Sequence, residues 1–143
     1  MPVNPILLPE DSLVRALLIV RGKYDFAVDA GAQSTIAITA GTPIPSGSVV
    51  VGGYVDVTTA CTSGGAATIA CQVEAANDIL TAVAVASWTT GRKNVLPAPT
   101  TGALTASTAV KTTAARNISI VIAAADLTAG VFNVVLYVVP PLA

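Results

Sequence analysis

The chain has 143 residues, with seven basic side chains, eight acidic side chains and no histidine. Without histidine it lacks the general base of Ser-His and Cys-His enzymes and the commonest metal ligand. A formal net charge of −1 with so few Lys and Arg residues cannot neutralise a run of phosphates, so nucleic acid is not expected as a partner. The composition therefore favours a structural role over catalysis.

Hydrophobic residues make up 53% of the chain, which raises the question of a membrane segment. A spanning helix needs about 18 or more apolar residues, and the longest apolar runs are interrupted earlier, by Arg15 and by Pro140. No positive charge precedes the short apolar patch Ile6–Leu8, so no signal peptide is predicted. We expect synthesis in a reducing cytoplasm, no membrane partner, and free, buried thiols at Cys61 and Cys71.

Alternating apolar and polar residues predict short β-strands along most of the chain. The first segment, Leu13–Val20, fits a helical stripe as well as a strand, and its β-branched end favours the strand. Lys23–Asp29 alternates most clearly, and Ser34–Ala40 is the next predicted strand. Gly41–Gly47 contains two prolines, which remove ladder donors, and is predicted to be a crossing loop.

The middle of the chain contains one long strand and several less regular segments. Ser48–Ala60 is predicted to be a strand with a bulge or bend at its two consecutive glycines, and Val55 and Val57 lie on one of its faces. The turn at Thr62–Gly65 predicts a hairpin with Ala66–Val73, in a register that leaves the two cysteines too far apart for a disulfide. Glu74–Leu80 is predicted to be a helical turn or a loop, and Ala82–Trp88 an extended segment. Thr89–Asn94 is predicted to be a polar loop, and Leu96–Ala109 a loop with short strand pieces.

The C-terminal third carries the strongest strand pattern. Arg116–Ala124 and Val131–Val139 flank a turn and are predicted to form a β-hairpin. Both faces of Val131–Val139 are apolar, although one face of an antiparallel sheet normally meets water. The second face requires cover from a loop or a neighbouring subunit, and we favour the neighbour. The residues of that face that become interface candidates are Val131, Val135, Tyr137 and Val139.

These elements predict an all-β protein of about eight strands. The expected architecture is an antiparallel β-sandwich, specifically a jelly roll of two packed sheets, with an extended N-terminal arm. The arm is assigned to residues 1–12 and the single sandwich domain to residues 13–143. The arm carries three further interface candidates, which either pack on their own sandwich or lie on a partner: Ile6, Leu7 and Leu8.

Few residues are candidates for a catalytic or ligand-binding site. Asp25 and Asp29 would lie about 13 Å apart along one strand, beyond the roughly 5–9.5 Å of a glycosidase pair. Glu74 and Asp78 would share a face as a cation site only if their segment were a helix. Trp88 and Arg92 could belong to a loop that contacts sugar or phosphate. Alternatively, Trp88 is an amphipathic side chain at a sheet edge beside a solvated turn. Trp88 and Arg92 are both interface candidates. We expect no enzyme, cofactor or bound metal.

Several phrases resemble small jelly-roll decoration proteins, or cement proteins, of tailed bacteriophages. The resemblance spans about residues 21–139 and rests on strand and turn phrases, while the arm lies outside it. The phrases are Arg21–Asp29, Pro43–Gly47 before a valine strand, Thr58–Ile69, and the ending Ile118–Val139 with Ala-Asp-Leu-Thr-Ala-Gly at its turn.

The resemblance implies a structural role in a virion. Such proteins sit as trimers on the capsid surface and brace it, and they have no catalytic residues. It therefore implies a homotrimer that contacts the major capsid protein and is assembled in the cytoplasm of the bacterial host. Two other functions stay open: another virion component, such as a head fibre, neck or tail protein, and a carbohydrate-binding β-sandwich, which would need several exposed aromatic side chains.

Overall fold

A computed structural model describes residues 17–95, 97 and 109–141 of the chain. These residues form an antiparallel β-sandwich, which confirms the predicted all-β fold class. The strands are β1 (Leu18–Asp25), β2 (Ser34–Ala37), β3 (Val49–Ser63), β4 (Thr68–Gln72), β5 (Leu80–Ala84), β6 (Gly91–Val95), β7 (Val110–Lys111), β8 (Ser119–Ala123) and β9 (Leu127–Val139). The short helix α1 (Phe26–Asp29) follows β1, and a 3-10 turn (Val85–Ser87) follows β5. None of the helices in the described part of the chain has the length and apolarity to cross a membrane.

The strand order is that of a jelly roll. Sheet 1 has the order β1-β9-β3-β6, with the two-residue β7 also paired to β3, and sheet 2 has the order β2-β8-β4-β5. Apart from β7, the pairs β1–β9, β2–β8, β3–β6 and β4–β5 are those of one long hairpin folded over on itself. The further pairs β3–β9 and β4–β8 close the two sheets. Each half of the long hairpin thereby contributes to both layers, as in double-sheet jelly rolls.

Both predicted hairpins are wrong, because each turn crosses from one sheet to the other. β3 lies in sheet 1 and β4 in sheet 2, and β8 and β9 are divided in the same way. Apart from β5, which follows β4 and pairs with it, their strand partners are distant in sequence: Leu18 of β1, for example, lies opposite Val138 of β9. Cys61 and Cys71 are free and buried as predicted, but they are kept apart by lying in different sheets.

The core lies between the two sheets and is built by the predicted faces. Val55 and Val57 of β3 are 2% and 1% exposed, while their neighbours Tyr54 and Asp56 point to the other side and are only half-buried. The inward faces of β8 and β9, with the residue that precedes β8, are fully or almost fully buried: Ile118, Ile120, Ile122, Phe132, Val134, Leu136 and Val138. Alternation with period two therefore identified which side chains enter the core.

The strand predicted for Lys23–Asp29 ends at Asp25, and the last four residues of the predicted strand form α1 instead. The Asp25 side chain accepts a hydrogen bond from the backbone N–H of Ala27 (3.1 Å) and caps α1. The side chain of Asp29 reaches back and accepts from the N–H of Asp25 (2.8 Å). The two carboxylates therefore stabilise one helical turn, and the predicted 13 Å separation along a strand does not occur.

Two further segments differ from prediction in the same region of the sandwich. The residues predicted as the polar loop Thr89–Asn94 contain most of β6, because Gly91–Val95 pairs with β3 as an edge strand of sheet 1. Ala82–Trp88 is extended only to Ala84 before the 3-10 turn. The bulge expected in Ser48–Ala60 is confirmed, since the register of β3 against β9 shifts between Val50 and Gly52.

Candidate interaction surface

The outer face of sheet 1 is the side of this sheet that points away from the core. It brings together side chains from β1, β9, β3 and β6. Opposite Val135 of β9, the register places Arg21 on one side and Tyr54 on the other. Val135 is only 7% exposed although it faces outward. The second apolar face predicted for β9 is thus partly covered by side chains of the same sheet.

Aromatic and cationic side chains form a row across this outer face. The guanidinium carbon of Arg92 lies 4.9 Å from the centre of the Tyr54 ring, within the range of a cation–π contact. The Tyr54 and Tyr137 rings meet edge to face with centroids 6.4 Å apart. Gly52 makes room for this pair, because a Cβ at that position would lie 3.0 Å from Cδ2 of Tyr137.

A depression of about 230 Å³ lies beside this row. Side chains of both charges and an amide line it: Arg21, Tyr54, Asp56, Asn133 and Val135. The aromatic and arginine side chains of this surface are of the types enriched at protein–protein interfaces.

One end of sheet 1 exposes apolar side chains. Leu17, Leu18, Ile19 and Val51 are 49%, 38%, 53% and 52% exposed, and Ile19 lies beside Tyr137 in the sheet register. The sequence candidates Val131, Tyr137 and Val139 lie half-buried on the outer face of β9. The arm candidates Ile6, Leu7 and Leu8 lie outside the described residues.

The Trp88 side chain is buried in the core, which corrects the prediction of a ligand-contacting loop or an amphipathic side chain at a sheet edge. The side chain is only 4% exposed, and its ring centre lies 4.7 Å from that of Phe132 in the core. Tyr24 is completely buried on the opposite side of Phe132, with ring centres 5.0 Å apart. A small aromatic cluster thus fills the centre of the sandwich, and Trp88 is unavailable to a partner surface.

Glu74 and Asp78 lie in a loop and do not form the cation site considered above. The Asp78 carboxylate accepts hydrogen bonds from the backbone N–H groups of Val73, Glu74 and Ala75 (2.8, 2.9 and 2.8 Å). Glu74 instead binds the Arg116 guanidinium through two hydrogen bonds of 2.8 and 3.0 Å. Across residues 17–95, 97 and 109–141, no group of three or more Cys, Asp or Glu side chains is placed to hold a metal ion.

The Glu74–Arg116 pair makes a prediction about the pH dependence of stability. Hydrogen bonds from Arg116 and then from Thr113 lower the pKa of Glu74 from 4.5 to about 2. A lowered folded-state pKa means that this contribution is present above about pH 4.5 and is lost as the pH falls toward 2. Glu74→Gln should therefore lower the melting temperature at neutral pH, and the difference from the parent chain should vanish near pH 2.

Thermal unfolding by circular dichroism from pH 7 to pH 2 measures this effect. Lys111→Gln serves as a matched control, because it removes an exposed charge from a nearby segment. This substitution should not produce a loss of melting temperature at neutral pH that disappears near pH 2. A Glu74→Gln difference that persists undiminished at pH 2 would show that the carboxylate charge contributes nothing.

Sequence reasoning did not single out most of this surface. Arg21, Tyr54 and Asp56 each alternate with a core residue on their own strand, so the available signal placed them outside the core. The sequence pattern did not reveal the strand order β1-β9-β3, which places these three side chains beside β9. Only Arg92 and the β9 residues were recognised beforehand as surface candidates.

Comparison with known proteins gives a match in fold. The chain superposes on a chain of the structure titled "Cyanophage Pam1 capsid asymmetric unit" with a TM-score of 0.57 and 19% sequence identity. The match covers 87% of this chain and 85% of that chain. They share the fold. No family model matches the sequence. No curated protein matches it either.

Proposed function

We propose that this chain is a structural protein of a bacteriophage virion that decorates and stabilises the capsid. The observation that carries the proposal is the fold correspondence with a chain from a phage capsid structure, over 87% of one chain and 85% of the other. Coverage on this scale means that the correspondence extends over the whole sandwich. The proposed role is mechanical, and no catalytic step is assigned to any residue.

The outer face of sheet 1 supports a role in holding subunits together. Its Tyr54, Tyr137 and Arg92 side chains are of the types enriched at protein interfaces, and Ile19 and Val51 add exposed apolar area at one end. We propose that copies of the chain associate as a homotrimer and that the assembly contacts the major capsid protein. A closed ring of copies would bury apolar surface without leaving an open sticky face.

The test compares phage particles with and without this protein. Particles whose gene for the chain is deleted should release DNA at a lower temperature, detected by a DNA-binding dye during heating. Adding the purified chain back should restore the original release temperature. Stability that is unchanged by deletion, or absence of the protein from purified heads, would overturn the proposal.

Quantification separates decoration from other virion roles. A decoration protein should occur at a copy number comparable with that of the major capsid protein and should be located on the head by electron microscopy. A head fibre, neck or tail protein would be present in far fewer copies at one location. The second result would keep a virion role and overturn capsid decoration.

A further inference from the structure

Within the described residues, the start of β1 is an open sheet edge. β1 lies at the end of sheet 1 and pairs with β9 on one side only. On the other side, the N–H of Lys23 donates to the carbonyl of Ile38 (2.9 Å), and the carbonyl of Arg21 accepts from the N–H of Ala40 (2.8 Å). Backbone groups of successive strand residues point to opposite sides, so Ile19 also directs its N–H and carbonyl to this edge. Among the described residues, no strand pairs with Leu18–Val20 there.

A groove of about 450 Å³ runs beside this open edge, and we call it the β1 groove. Its walls are the first residues of β1 and the crossing loop that follows β2. The residues that line it are Leu18, Ile19, Val20, Arg21, Ala40, Thr42, Pro43 and Pro45. The groove thus combines free main-chain hydrogen-bonding groups with a largely apolar lining, which is the combination that captures an extended peptide as an added strand.

The first 16 residues of the chain supply a segment with matching properties. In an extended conformation, Pro5 and Pro9 lie on the same side of the strand because they are four residues apart. The intervening Ile6 and Leu8 direct their N–H and carbonyl groups to the opposite side, which carries no proline between Asn4 and Glu10. Proline is tolerated at a sheet edge when its missing N–H faces away from the neighbouring strand. This segment can therefore add to a sheet on one side only.

We propose that residues 4–10 from a second copy of this chain occupy the β1 groove as an added strand of sheet 1. Within one copy, pairing of Ile6 or Leu8 with Ile19 would require a tight reversal of the chain inside Ser12–Val14, which has no Gly, Pro or Asn to form the turn. A neighbouring copy has no such restriction on register. Ile6 and Leu8 then pair with the edge at Ile19 and cover apolar surface that is 53% exposed on that residue.

Exchange of arms gives every copy both a donor and an acceptor, so the contacts close when the copies form a ring. The inference concerns contacts between copies and does not require a capsid. Failure of the cross-linking experiment below would leave the particle experiment unaffected, and failure of the particle experiment would leave arm exchange untouched.

Cross-linking between two variants, each carrying one added cysteine, tests the exchange. Full-length Leu8→Cys is mixed with full-length Thr42→Cys, whose site is exposed at the groove, and a short bis-maleimide is added. Burial raises the pKa of Cys61 to about 11 and that of Cys71 to about 12, so the parent chain should show almost no reaction. The matched control mixes Leu8→Cys with Val28→Cys, which is 80% exposed on α1 beyond the far end of β1.

We expect a covalent dimer from the Leu8→Cys and Thr42→Cys mixture and little from the control mixture. Ile19→Pro removes the edge N–H without removing a bond to β9, and should weaken association about tenfold or more in light-scattering measurements. Ile6→Asp should have a similar effect while leaving the sandwich fold intact by circular dichroism. Agreement among these three measurements would support binding of the arm at this edge, with Ile19→Pro reporting on the main-chain pairing.

Three results would overturn the proposal. The Leu8→Cys/Thr42→Cys double variant could form only an internally cross-linked monomer, which would mean that each copy binds its own arm. The control mixture could give the same yield as the groove mixture, which would mean non-specific encounters. No cross-linking in a sample that light scattering shows to be oligomeric would mean that the copies associate through another surface.

Discussion

Replacing Phe132 with Ala is expected to lower the free energy of unfolding by about 3–5 kcal/mol. Phe132 is completely buried on the central strand β9, and its ring lies between those of Tyr24 and Trp88 at 5.0 and 4.7 Å. The substitution removes the middle member of this aromatic cluster and leaves a cavity between the two sheets. Backbone hydrogen bonds on both sides of β9 restrict the collapse that could fill the cavity.

Urea denaturation measures the loss, with fluorescence of the single tryptophan, Trp88, as the signal. Val28→Ala is the control, because Val28 is 80% exposed and its substitution should change stability by less than about 0.5 kcal/mol. A loss below about 1 kcal/mol at Phe132 would contradict the placement of this ring in a tightly packed centre.

Gly53→Ala is expected to cost about 2–5 kcal/mol, a sum of backbone strain and overpacking. Gly53 has a φ of +151°, which side-chain-bearing residues rarely adopt. A Cβ at this position would overlap with the carbonyl oxygen of Val135 and lie 2.9 Å from Cδ2 of Leu136. Both atoms belong to β9, so relief would require separating β3 from its main partner in sheet 1.

Gly64→Ala provides the comparison for this substitution. A Cβ added at Gly64 would meet no other atom within 4 Å, and the φ of this residue lies outside the left-handed range. Its replacement should leave stability unchanged or raise it by about 0.4–1 kcal/mol, because alanine restricts the unfolded chain. Equal effects at the two glycines, measured by the same urea titration, would contradict the packing of the β3 bulge.

The predicted core faces were largely confirmed, while the strand pairings were not. Alternation placed Val55 and Val57 on one face of their strand and Phe132 and Leu136 on one face of the last strand, and in the structure both faces are buried. Periodicity reports only which side of a strand is buried, and it carries no information about the neighbouring strand. The turns at Thr62–Gly65 and before β9 look like hairpin turns in sequence, but each joins two sheets.

The interaction surface was predicted where a single strand carried the signal. The two apolar faces of β9 predicted an interface on this strand, and its outward residues lie on the outer face of sheet 1. Trp88 was misplaced because the nearby Arg92 and Lys93 suggested an exposed loop. In a chain with so few aromatic residues, the large rings are needed to fill the centre between the sheets. The β1 groove could not be anticipated, because its walls come from two segments brought together by the pairing of Gly22 with Thr39.

The position of β9 has a consequence for how the protein is made. Of the described strands, this one leaves the ribosome last, yet it pairs with both β1 and β3 in the middle of sheet 1. β1 therefore has no strand partner in its sheet until the other eight strands have been synthesised. Pairing over such sequence distances is slow and leaves strand edges exposed to aggregation. We expect folding to be post-translational, so a ribosome-bound chain that lacks Val131–Val139 should be digested by protease while the released full-length sandwich resists.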